Sequence, residues 1–180
     1  MTSAEQIIEH FGMKPLVDEG GYYVETYRCK QQLLQGNTAK GYDGPRSFGT
    51  AIFYLLTSET FSAIHRLKSD EVFHFYLGDP VTMLQLHPDG SGEVVTLGHD
   101  IAGGQQVQVT VPAGTWQGSV LEPGGRFALM GTTVTPGFEQ QDFELGRREK
   151  LLEQYPTYGE LVMRLTNVPP MKPTHCSKIS

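Results

Sequence analysis

The stretch His65-Arg66-Leu67-Lys68-Ser69-Asp70-Glu71-Val72-Phe73-His74-Phe75-Tyr76-Leu77-Gly78 decides the fold. It reads as a hairpin, with one strand ending at Leu67, a polar corner of Lys68, Ser69 and Asp70, and a second strand from Glu71 to Leu77. Side chains alternate along a strand, so His65 shares a face with Leu67, and Glu71 shares one with Phe73 and Phe75. His74 falls on the opposite face. A histidine and a carboxylate set among aromatics can hold part of a metal site, move a proton or form a buried salt link.

Outward from this stretch, the pattern stays that of short strands and tight turns. Tyr22 to Arg28 is rich in aromatic and β-branched residues and predicts a strand. Strict alternation places Tyr23, Glu25 and Tyr27 on one face and Arg28 on the other. A short strand is expected at Leu16 to Glu19, before the Gly20-Gly21 turn. Ser47 to Leu56 is apolar on both faces and predicts a buried strand. Val81 to His87 and Glu93 to Leu97 flank Pro88-Asp89-Gly90-Ser91-Gly92, a hairpin turn. Gln106 to Val111, Trp116 to Leu121 and Arg126 to Val134 complete the series.

At the ends the period changes. Ser3 and Gln6 fit a capping box before the apolar stripe Ile7, Ile8 and Phe11, which predicts a helix to Phe11. From Asp142 a helical pattern runs to Pro156, and a second short one covers Tyr158 to Leu165. Residues 31–46 are polar and read as a loop or flap. The organisation is one domain over residues 1–168, followed by a loose proline-bearing tail over 169–180.

Composition agrees. The 180 residues include 21 Gly and 11 Pro, which punctuate short strands, and only 38% are hydrophobic. A net charge of -6 with no Lys/Arg cluster speaks against nucleic acid as the partner. No apolar run is long enough to span a bilayer. The two cysteines, Cys29 and Cys176, offer neither a disulfide framework nor a paired metal motif. The first residues are polar and unlike a signal sequence, so a cytoplasmic protein is expected.

Several segments resemble the cupin superfamily of small jelly-roll β-barrels. His65, Glu71 and Gly78 match the first histidine, the glutamate and the glycine of its first motif, and Leu67 stands where that motif has a second histidine. Pro112-Ala113-Gly114 matches the turn of the second motif, and Gln117 stands where it has a further histidine. Gly20-Gly21-Tyr22-Tyr23-Val24-Glu25-Thr26-Tyr27-Arg28, Gly78-Asp79-Pro80 and Pro136-Gly137-Phe138 are similar to the short single-domain "cupin five" group, whose role is unknown. The resemblance implies an all-β, single-domain jelly-roll β-barrel with short terminal helices. It also implies a homodimer formed by sheet packing.

Three functional readings follow. The favoured one is a metal-independent isomerase or epimerase of a sugar or sugar-derived carbonyl compound. His65 and Glu71 transfer the proton, Glu25 and Tyr27 assist, and Ser47, Thr50, Phe73, Gln117 and Phe138 bind the ligand. No cofactor is needed. The second reading is a non-catalytic binder of a small molecule, its pocket in the barrel mouth. The third is a cupin with an incomplete ligand set, a divalent transition metal held loosely by His65, Glu71 and Gln117. A purely structural link between His65 and Glu71 is the plain alternative to all three.

Overall fold

The computed structural model describes residues 2–33 and 41–166. Helix α1 (Ala4–Phe11) comes first, then β1 (Lys14–Pro15), β2 (Tyr22–Arg28), β3 (Gln32–Leu33), β4 (Arg46–Ser47) and β5 (Thr50–Thr57). Next are β6 (Phe61–Leu67), β7 (Asp70–Gly78), β8 (Val81–Leu86), β9 (Gly92–Leu97), β10 (Gln108–Val111), β11 (Trp116–Leu121) and β12 (Phe127–Thr135). A 3-10 turn at Gln140–Asp142, β13 (Phe143–Leu145), α2 (Arg148–Gln154) and α3 (Gly159–Leu165) close the chain.

Two antiparallel sheets face each other as a jelly roll. One has six strands in the order β1-β2-β5-β12-β7-β10, the other five in the order β13-β6-β11-β8-β9. Their inner faces meet in a core of Tyr54, Leu56, Phe73, Phe75, Met83, Leu97, Val109 and Met130. Each large apolar side chain buried there contributes about 1.5–3 kcal/mol. The outer face of the five-stranded sheet is covered by α2 and α3 through Ile64, Leu84, Leu86, Leu151, Tyr155, Val162 and Leu165. Helix α1 covers part of the other sheet through Ile7, Met13, Leu55 and Leu129. Its N-terminus carries the capping box, in which Ser3 and Gln6 satisfy each other's backbone N–H groups.

The structure corrects the central expectation. β6 and β7 are not a hairpin. β6 pairs with β11 and β13, and β7 pairs with β10 and β12 in the opposite sheet. The Lys68-Ser69 corner carries the chain across the barrel. It is held by the Gly114 N–H donating to the Leu67 carbonyl and by the Tyr42 hydroxyl, which binds the Lys68 carbonyl and the Ser69 hydroxyl. His65 and Glu71 therefore stand on opposite walls, facing each other.

Smaller corrections follow from packing. The short strand before β2 is Lys14–Pro15, and Val17 to Glu19 form a turn. The chain after Asp142 first adds β13 to the edge of β6, and the helix starts only at Arg148. Part of the expected 31–46 loop forms the β3-β4 pair, while residues 34–40 and the tail beyond 166 lie outside the described residues. Arg46 and Asp142 form a buried bidentate pair at 2.6 and 2.9 Å, and Arg46 Nη1 also donates to the carbonyls of Asp43, Gly44 and Pro45. That pair ties the 41–47 segment to the 3-10 turn beneath the site.

Candidate functional site

A cavity of about 230 Å³ opens between the two sheets, walled by His65, Glu71, Glu19, Glu25, Thr50 and Phe143 among others. Register places the first two. On β6, His65 is the partner of Gln117, so both project inward; on β7, Glu71 lies opposite Val111 and Val134. His65, Glu71 and Gln117 are each more than nine-tenths buried.

Hydrogen bonds orient the histidine and place one of its protons. Its Nδ1 lies 2.8 Å from the Ala63 carbonyl, which can only accept, so Nδ1 carries the proton. In the neutral ring, Nε2 then carries the lone pair, an acceptor for the Gln117 amide. It lies 3.4 Å from the Gln117 amide nitrogen and 3.8 Å from Glu19 Oε2. The same amide donates to Glu71 Oε2 at 2.5 Å. Phe143 stacks on the imidazole at 5.1 Å, fixing its plane. Burial pushes the Glu71 carboxyl above the ordinary glutamate range. His65, Thr132 and Gln117 oppose that rise and the nearby Glu19 adds to it.

Of the residues expected from sequence, His65, Glu71, Glu25, Thr50 and Phe138 line one cavity. Gln117 braces the first two from behind. Three others are placed elsewhere. Tyr27 is 56% exposed, because β2 carries a bulge between Glu25 and Tyr27. The extra residue reverses the alternation, so Glu25 and Arg28 both face the cavity and Tyr27 turns out. The Ser47 hydroxyl is spent on the carbonyls of Cys29 and Gly49. Phe73 belongs to the barrel core.

Tyr23 lines the cavity beside Glu25, as alternation places it; Glu19, Arg28 and Phe143 line it too, and alternation did not single them out. Glu19 is placed by its neighbour. Gly20 has φ +105°, and a Cβ there would sit 2.2 Å from the Phe61 carbonyl oxygen. Only glycine lets this turn lie against β6. The Ala63 N–H then donates to the Glu19 carbonyl at 2.8 Å, and the Ser62 hydroxyl donates to Glu19 Oε1 at 2.7 Å. The Asp-Glu-Gly-Gly sequence was the available signal: an acidic pair before a turn that needs two glycines.

The family model of the cupin superfamily (DUF985) matches residues 5–146. The chain belongs to the cupin superfamily. This cupin is 33% identical to protein SO0799 from Shewanella oneidensis, with a TM-score of 0.79 over 94% of this chain and 100% of that one. It is 27% identical to a hypothetical protein from Leishmania major, with a TM-score of 0.80 over 91% and 98%. The uncharacterized protein YML079W of Saccharomyces cerevisiae is 28% identical over 132 residues, which span 69% of this cupin and 66% of the yeast protein.

The cupin resemblance implies a metal held by three histidines and a glutamate. The residues here do not fit that group. Leu67, buried at the second histidine position, has no donor atom, and the Gln117 amide and the Glu71 carboxylate are bonded to each other. Among the described residues, no three His, Cys, Asp or Glu side chains are grouped to hold an ion.

Proposed function

We propose that this cupin is a metal-independent isomerase or epimerase of a sugar or sugar-derived carbonyl compound. The observation that carries the reading is the orientation of His65, whose Nδ1 is held by the Ala63 carbonyl so that Nε2 is the ring atom left for the cavity, beside a buried carboxyl raised above the ordinary glutamate range. Such a pair separates base from acid. Nε2 removes the proton from the carbon next to the carbonyl, and the C–H electron pair becomes the carbon–carbon double bond of an enediol. The carbonyl oxygen takes the proton from Glu71. Glu19, 3.8 Å from Nε2, stabilises the imidazolium that results. Gln117 holds both partners in register. Return of the proton to the other carbon, or to the other face, completes an isomerisation or an epimerisation.

The test is exchange of deuterium from solvent into candidate ketoses and aldoses, followed by NMR. Wild-type protein is expected to catalyse it, and His65→Ala to lower the rate by about 10²–10⁴-fold. Exchange that persists unchanged in both His65→Ala and Glu71→Gln defeats the assignment. Ligand binding with no exchange on any carbonyl compound would leave a binding protein instead. Stoichiometric Fe, Mn, Ni or Zn in protein purified without chelator would overturn the metal-independent claim.

The same proposal includes a homodimer and a cytoplasmic location. The outer face of the six-stranded sheet presents Tyr76, 43% exposed, packed edge-on to Phe53 at 5.8 Å and parallel to His74 at 6.4 Å. An aromatic strip of this kind suits sheet-to-sheet packing with a second copy. Sedimentation should give twice the chain mass, and Tyr76→Lys the single mass; a monomeric wild type refutes the dimer. No helix among the described residues is long and apolar enough to cross a membrane.

A further inference from the structure

We infer that the compound taken by this site carries no phosphate, and that an amine-bearing monosaccharide fits it better than a neutral one. The inference rests on the proton-transfer reading above and names its substrate class.

Charge is the first argument. Asp18, Glu19, Glu25 and Glu71 all line the cavity. Arg28 is the one Lys or Arg among the described lining residues, and its donors are taken. Its Nε and Nη2 hold Glu25 at 3.0 and 2.8 Å, Nη1 holds Glu139 at 2.9 Å, and Nη2 also reaches the Phe138 carbonyl at 3.2 Å. A guanidinium already shared by two carboxylates has little left for a phosphate. With Glu71 protonated as the acid and Glu25 paired with Arg28, Asp18 and Glu19 still leave the described lining net negative.

Backbone gives no relief. Anion sites use N–H groups at a helix N-terminus. The lining residues lie on β2, β5, β6, β7, β12 and β13 and on the turns beside them, and none opens α1, α2 or α3. A phosphate carries about -1.5 to -2 charges at neutral pH and would meet the carboxylates of Asp18 and Glu19 with no unshared guanidinium among the described lining residues.

Size is the second argument. The cavity, about 230 Å³, is below the roughly 300–1,000 Å³ usual for drug-sized ligands. It suits one sugar ring and is too small to enclose a nucleotide-linked sugar. A carbonyl compound with hydroxyls fits the mixed wall: Glu19 and Glu25 accept hydrogen bonds, and Ile52, Leu67 and Phe143 cover the carbon skeleton. An ammonium group adds a charge of the sign the carboxylates favour.

The experiment uses the full chain and matched neutral, 2-amino and 6-phosphate forms of glucose, galactose and mannose. Binding is followed by calorimetry at low and high salt. The amino sugars should bind at least about tenfold tighter than the phosphates, like charges a few ångströms apart being costly at the dielectric of a pocket. High salt should narrow that ratio, and so should Asp18→Asn. Phosphates binding as tightly as amino sugars, or three forms binding alike at both salt levels, overturns the inference. The deuterium-exchange assay is run on the same panel. Exchange on phosphorylated sugars alone would sink the substrate class and leave the proton-transfer reading standing. A panel that neither binds nor exchanges overturns both.

Discussion

Replacing Glu71 by Gln isolates the feature on which the proposed chemistry depends, a carboxyl kept out of water. Gln keeps the shape and an acceptor oxygen for the Gln117 amide but cannot ionise. In the unfolded chain, Glu71 loses its proton near the ordinary value of 4.5, whereas burial holds the proton to higher pH in the fold. Between those two points the unfolded state binds fewer protons than the native state, so stability falls as pH rises. Below 4.5 both states are protonated and nothing is lost. The size of the loss follows from the surroundings. Burying an ion costs several kcal/mol. His65 offsets the largest part of that cost, Thr132 and Gln117 add hydrogen bonds to the charge, and Glu19 works against all three. On the order of 1 kcal/mol remains. Glu71→Gln should therefore match wild type in urea unfolding at pH 4 and become more stable as the pH approaches 8. A gain of that size raises Tm by about 2–4 °C for a chain of this length. Comparing the two proteins at each pH cancels the titrating groups that do not interact with Glu71, leaving Glu71 with its coupled neighbours His65 and Glu19. A stability difference that stays flat from pH 4 to 8, or that turns against the variant as pH rises, would refute the reasoning.

Two further perturbations probe how the site is held. Asp142→Asn removes the counter-charge bonded to the buried Arg46 guanidinium, leaving only the more distant Glu139 and Asp43, and should cost about 3 kcal/mol by urea unfolding, while an apolar double replacement of Arg46 and Asp142 should cost much less; equal losses would show that the pair does not matter as a pair. Gly20→Ala forces a Cβ into the Phe61 carbonyl at positive φ and should destabilise by more than about 1 kcal/mol. It should also lower solvent exchange by displacing Glu19, and unaltered exchange would separate Glu19 from the chemistry.

Much of the molecule is written locally. Strand content, turns and the two core faces follow from alternation and from Gly and Pro. Glu71, Phe73 and Phe75 do point inward and His74 outward, bonded to Gln108 and Thr133. The motif positions of His65, Glu71 and Gln117 were legible too, because the register irregularity between β6 and β11 falls just past the His65–Gln117 pair and leaves both pointing inward.

What sequence could not supply is pairing. A run of alternating residues states which side chains share a face. It does not state which strand lies alongside, since that depends on contacts between residues far apart in the chain. Lys68 to Asp70 has the composition of a hairpin turn, yet it crosses from one sheet to the other because β11 and β12 offer β6 and β7 better partners. The bulge in β2 is likewise set by its partner β5, and it exchanges Tyr27 for Arg28 at the cavity wall. Glu19 reaches His65 only because Gly20 lets a turn press against β6. The sequence by itself determined the kind of barrel and its central histidine and glutamate. Only the tertiary structure decided that these two face each other across a net-negative cavity, because electrostatics and strand pairing depend on distances in space rather than along the chain.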